Sequence, residues 1–203
     1  MAATVGPARL GAAPADVAWM ALEWPGFEHV IVSYGPDGFR ADSWLLLAGE
    51  AGLARVSYQL ICDSKWQVST LTIRAAGANS DRALALRRDS AGHWQAGGDR
   101  PLPDLDGCID VDIDHTPLTN TLPIRRLGAA VSAPCDIDVA YICVPELTVR
   151  RARQRYTRLT TGRPVYRYES GSFRADLPVD GDGIVIDYPG LWRRIGPGAA
   201  SAQ

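Results

Sequence analysis

One short stretch of helical character stands in a chain whose other apolar runs alternate with period two. That imbalance restricts the fold more than any motif does. The stretch lies within Gly107 to Gly128, GCIDVDIDHTPLTNTLPIRRLG. In its first part Ile109, Val111 and Ile113 face one way and Asp110, Asp112 and Asp114 the other, the period of a half-buried strand. The alternation stops at Thr116-Pro117. A helix is predicted within about Thr119–Leu127, from Thr and Asn near its start, Pro123 in its first turn, Arg125 and Arg126 in its last, and Gly128 beyond.

The rest reads as strands: Glu28–Tyr34, Phe39–Ala48, Leu53–Cys62, Trp66–Ala75, Arg82–Arg88 and Cys108–Asp114 before the helix. Cys135–Val144, Val149–Leu159, Val165–Ser170, Phe173–Val179 and Ile184–Tyr188 follow it. Turn residues separate them, as in Gly35-Pro36-Asp37-Gly38 and Asp180-Gly181-Asp182-Gly183. Several rows share a face, among them Val56, Tyr58, Leu60 and Cys62, then Ile137, Val139, Tyr141 and Cys143, then Phe173, Ala175, Leu177 and Val179. Leu147–Leu159 also fits a basic helix, but Pro145 and the strands around it favour a strand, with Ala152, Gln154 and Tyr156 on one side. So many antiparallel strands in one open sheet would leave edges and a bare face, so the sheet must curl or close. Residues 1–17 and 196–203, rich in Ala, Gly and Pro, are expected to be flexible tails around one domain at 18–195.

Several function classes lose support. A net charge of −2 gives no field for nucleic acid or an anionic membrane. Neither a signal peptide nor an apolar run long enough to span a bilayer is legible, so the expected compartment is the cytoplasm. Cys62, Cys108, Cys135 and Cys143 form no CxxC pair and read as reduced core thiols. Asp110, Asp112 and Asp114 do not make a calcium loop, because His115 stands where the turn glycine belongs and Thr121 where the closing acid belongs. No metal and no cofactor is expected. GxSxG, P-loop and HExxH patterns are not found. Glu28 and His29 are neighbours on a strand and point to opposite faces, so they cannot serve one site. Arginines from Arg150 to Arg174 make the later half basic, and internal pairing with aspartates is the favoured reading over nucleic acid.

The segments PELTVRRARQRYTRL, YRYES, DGIVIDYPGLWRRI, RPLPDLDGCIDVDIDHTPLTNTLPIRRLG and WPGFEHVIVSYGPDGFRADS together resemble a bacterial family called putative glycolipid-binding. The resemblance runs from about Trp24 to Ile195. It implies a mainly β fold: a single long antiparallel sheet curled as a spiral β-roll around one short central α-helix. It also implies a homodimer and a distant likeness to periplasmic lipoprotein carriers, whose curved sheets enclose acyl chains. The family carries no established catalytic residues.

Together these features predict a non-catalytic binding protein for an amphipathic small molecule such as a glycolipid or lipid intermediate. Acyl chains would lie along the apolar inner face and a polar head would meet arginines. The candidate ligand-binding residues are Arg125, Arg126, Tyr141, Gln154, Tyr156, Tyr166, Tyr168 and His29. The alternatives are an enzyme acting on a sugar or lipid through His29 or His115 with an Asp, and a filled roll serving as a dimeric scaffold.

Overall fold

The computed structural model describes residues 14–49, 52–77, 80–128, 133–159 and 163–196. Most of the two expected tails, residues 1–13 and 197–203, lies outside the described residues. Ala15–Val17, assigned to the first tail, belong instead to strand β1 (Ala15–Ala21). Its apolar alternation is short and adjoins an Ala-rich run, which hides it in the sequence.

From β1 the chain runs as a meander through β2 (Gly26–Gly35), β3 (Gly38–Gly49), β4 (Gly52–Cys62), β5 (Val68–Gly77), β6 (Ser80–Arg88), β7 (Trp94–Ala96) and β8 (Arg100–Pro101). The second group is β9 (Asp110–Ile113), β10 (Cys135–Cys143), β11 (Thr148–Leu159), β12 (Val165–Ser170) and β13 (Phe173–Pro178), paired in reverse order. The chain then returns through β14 (Asp187–Tyr188) and β15 (Trp192–Ile195), and β15 pairs with β1. Hydrogen bonding thus divides the curled sheet into ladders of ten and five strands among the described residues. A Val179–Val185 bridge and the Ile186 N–H to Pro178 carbonyl bond of 2.8 Å tie them at the β13–β14 turn. Pairing is antiparallel except between β9 and β10. The helix lies between those two strands, and a parallel pair needs such a crossover.

That helix, α1 (Thr121–Leu127), follows a 3-10 turn at Leu118–Asn120. Leu118, Leu122 and Ile124 are wholly buried, so the helix fills space inside the roll. Leu127 is only partly buried and packs against this core. The helix ends where Gly128 takes φ +59°, a conformation that suits glycine, and returns its N–H to the Ile124 carbonyl. Asn120 does not cap the helix through its side chain. Its amide donates to the Pro117 carbonyl and its Oδ1 accepts from Tyr156.

The alternation of β9 is real, but its acid face is largely covered rather than exposed. Val111 and Ile113 lie in the apolar core, and Asp110 on the other face is also wholly buried. The helix and the turn before it cover that second face, with Arg126 on Asp110 and Thr119 on Asp112. Strand β10 is likewise buried on both sides, with Ile137 and Val139 on one and Ala140 and Ile142 on the other. Leu147–Leu159 contains the strand β11 and no helix, and Gln154 and Tyr156 point inward from it.

Candidate functional site

Asp110 and Asp112 project from one face of β9, Asp114 follows at its end, and the three meet different environments. Asp110 receives the Arg126 guanidinium, Nη2 at 2.5 Å and Nε at 3.3 Å. Among the described residues Asp112 receives neutral donors, the Thr119 hydroxyl at 2.8 Å on Oδ1 and the Gln154 amide at 2.6 Å on Oδ2. Asp114 accepts the Val144 backbone N–H at 2.7 Å. Burial pushes the Asp112 and Asp114 carboxyls up to about 6, against the pull of those hydrogen bonds.

Asp112 and Asp114 open on a cleft of about 390 Å³. That volume falls within the range of small-molecule sites. Aromatic side chains form much of its wall: Trp24 from the β1–β2 turn, Tyr141 from β10, Tyr168 from β12, Phe173 from β13, Tyr188 from β14 and Trp192 from β15. Both ladders and the closing strands contribute, so the site exists only because the sheet curls. Trp24 stands edge-on to Trp192 at 5.6 Å and to His115 at 5.1 Å. His115 turns the chain at φ +57° at the cleft edge, and partial burial lowers its pKa. The Arg150 guanidinium lies over the Tyr141 ring, 4.5 Å from its centroid.

Behind the cleft lies a further buried carboxylate, Glu28. Thr116, in the cleft wall, donates to Glu28 Oε2 at 2.6 Å, while Ser43 at 2.8 Å and Tyr58 at 2.7 Å donate to Oε1. Glu28 is wholly buried, and burial pushes its carboxyl up to about 7. It ties β2, β3 and β4 to the turn that precedes the helix.

Of the sequence candidates, the structure brings Tyr141 and Tyr168 together in the cleft. Gln154 sits behind them on Asp112, and Tyr156 donates to Asn120 at 2.9 Å. The others lie elsewhere. Arg126 is bound to Asp110, and Arg125 lies over the Trp66 ring at 4.9 Å. Tyr166 is buried away from the cleft, with no hydrogen bond to its hydroxyl. His29 is on the outer sheet face, 2.9 Å from Asp16. The basic strand is paired internally at Arg153 and Arg155 with Asp136, and Arg167 pairs with Asp176. Those bonds hold the Asp136 carboxyl down at about 2.

Sequence reading did not assemble Trp24, Phe173, Tyr188 and Trp192 with the β9 acids. They are far apart in the chain and meet only through closure. Among the described residues no three His, Cys, Asp or Glu side chains form a metal-binding group. No helix among them is long and apolar enough to cross a membrane.

The architecture is that of a mainly β roll with one internal helix and an aromatic, acid-lined cleft at its seam. The chain belongs to the family described as "putative glycolipid-binding", which matches residues 16–194. The crystal structure of a DUF1089 family protein from Pseudomonas aeruginosa is similar, at 40% identity and a TM-score of 0.75, covering 84% of this chain and 92% of that one. A search of curated proteins gives no match.

Proposed function

We propose that the protein binds an amphipathic molecule with a glycosyl head, without catalysing a reaction, and that the head sits in the cleft at the roll seam. The observation that carries this reading is the combination of aromatic walls with hydrogen-bonding groups. Sugar rings offer C–H faces that pack on aromatic rings and hydroxyls that bond to carboxylates, and Tyr141, Tyr168 and Tyr188 stand beside Asp112 and Asp114. The family description supports the same ligand class. The head-group contacts then shift from the helix arginines to the cleft, because Arg126 is engaged by Asp110. The acyl chain shifts as well. Leu118, Leu122 and Ile124 occupy the inner apolar space, so the chain would leave past Leu191 and the exposed Phe173 at the lip.

The test is titration with octyl β-D-glucoside, followed by tryptophan fluorescence, since Trp24 and Trp192 line the cleft. Tyr141→Ala and Phe173→Ala should each weaken binding roughly three- to tenfold, the value of one aromatic contact. Tyr166→Phe, away from the cleft, should leave it unchanged. Equal affinity in all variants would contradict the location.

We also propose that the protein forms a homodimer through the outer face of β1–β3. Met20, Phe27 and Leu46 form one row across these strands, and all three are exposed, as is Trp44 beside them. Charged side chains on this face are paired within the chain, His29 with Asp16 and Arg40 with Asp42. Such a face suits a second copy better than an anionic lipid surface. Sedimentation at micromolar concentration should show a dimer that Trp44→Asp dissociates, and a wild-type monomer would overturn this.

A further inference from the structure

The charges of the cleft do not balance. Asp110 has the Arg126 guanidinium, but the hydrogen bonds to Asp112 come from a hydroxyl and an amide, and Asp114 is held by a backbone N–H on Oδ1 with the Tyr141 hydroxyl as a further neutral partner. Asp110 and Asp114 add to the negative field at Asp112, and Glu146 adds to that at Asp114. Against this the cleft wall carries Arg150, together with His115, whose burial favours the neutral ring. A buried carboxylate without a cation is costly, so such a site either holds its proton or awaits a positive group.

One further observation points to a ligand. Tyr188 is only 7% exposed, meets Tyr168 and Phe173 ring to ring, and has no hydrogen bond to its hydroxyl among the described residues. Tyr188 lines the cleft and its hydroxyl is not sealed from it, so a ligand can supply the partner that the protein does not.

We infer that the cleft selects an amine-bearing head group, its ammonium held by the Asp112 and Asp114 carboxylates against the tyrosine rings. This rests on the cleft being the head-group site and narrows the ligand to amino sugars or similarly protonated heads. Three consequences follow. A charge-assisted contact should tighten binding on the order of tenfold or more over a neutral analogue. The ammonium should lower both carboxyl pKa values, so binding near pH 6 should release protons. Removing either carboxylate should weaken binding of the amine more than that of the neutral analogue, and so reduce the preference for the amine.

The experiment is calorimetric titration of the wild-type protein with octyl 6-amino-6-deoxy-β-D-glucoside and with octyl β-D-glucoside. It is repeated with Asp112→Asn and Asp114→Asn, and in two buffers of different ionisation heat. The expected result is tenfold or greater preference for the amine, proton release on binding it, and a preference cut to less than threefold in the variants. Thermal unfolding checks each variant's fold, and if Asp112→Asn does not fold, Asp114→Asn decides. Equal affinity for the two glycosides overturns the amine inference and leaves the glycosyl site standing. Binding of neither removes both.

Discussion

Arg126→Met is expected to destabilise the protein by about 3–5 kcal/mol, the usual cost of stripping one partner from a buried ion pair. The pair is Arg126 with Asp110, whose side chains are 16% and 0% exposed. The Met side chain fits much of the same volume, so the loss would come from the abandoned Asp110 carboxylate rather than from a cavity. Burial already opposes the charge on Asp110, and the guanidinium holds it in place. The pair also fastens the C-terminal turn of α1 to β9, the strand that carries the cleft acids. Urea unfolding measures the loss. Asp110→Asn combined with Arg126→Met should recover part of it, because the double variant leaves no buried charge. A cost below about 1 kcal/mol for the single change would mean that solvent reaches Asp110 freely.

The second large effect is a fall in stability as pH rises through Glu28. Its carboxyl moves from an ordinary 4.5 to about 7 on folding. The folded state therefore holds a proton that the unfolded chain releases above about pH 4.5. Stability from this group is full below that pH, falls between about 4.5 and 7, and is level above. A shift of this size corresponds to about 3 kcal/mol. Asp112 and Asp114, raised to about 6, act in the same direction over a lower window. Glu28→Gln keeps the shape and removes the titration. Unfolding free energies measured from pH 5 to 8 should slope downward in the wild type, and the part between 6 and 7 should flatten in the variant. The same slope in both would assign the effect to other groups.

The legible parts of this fold were those set by local pattern. Val56, Tyr58, Leu60 and Cys62 alternate in sequence and are all buried in the structure. Pro123, the arginine pair and Gly128 mark a helix that is observed at Thr121–Leu127. The short strands β7, β8 and β15 carry too few alternations to be read and depend on their partners. The parity of β2 places Glu28 with Val30 and Val32, which shows its inward direction. What parity cannot show is that Ser43, Tyr58 and Thr116 converge on it from elsewhere. The acids of β9 were harder still. Alternation puts them on one face, but only the packing of the helix decides that the face is buried. The helix arginines looked like head-group ligands because the sequence does not reveal that Asp110 lies under Arg126.

In the proposed function a glycosylated amphipath occupies the seam cleft. Native mass spectrometry of freshly purified protein tests it most directly, on the wild type and on a Tyr141→Ala, Phe173→Ala double variant. The predicted result is a co-purifying lipid of glycosyl composition on the wild type, reduced or lost in the variant while the protein stays folded. A wild type that carries no such lipid and takes up no octyl β-D-glucoside at millimolar concentration would contradict the account.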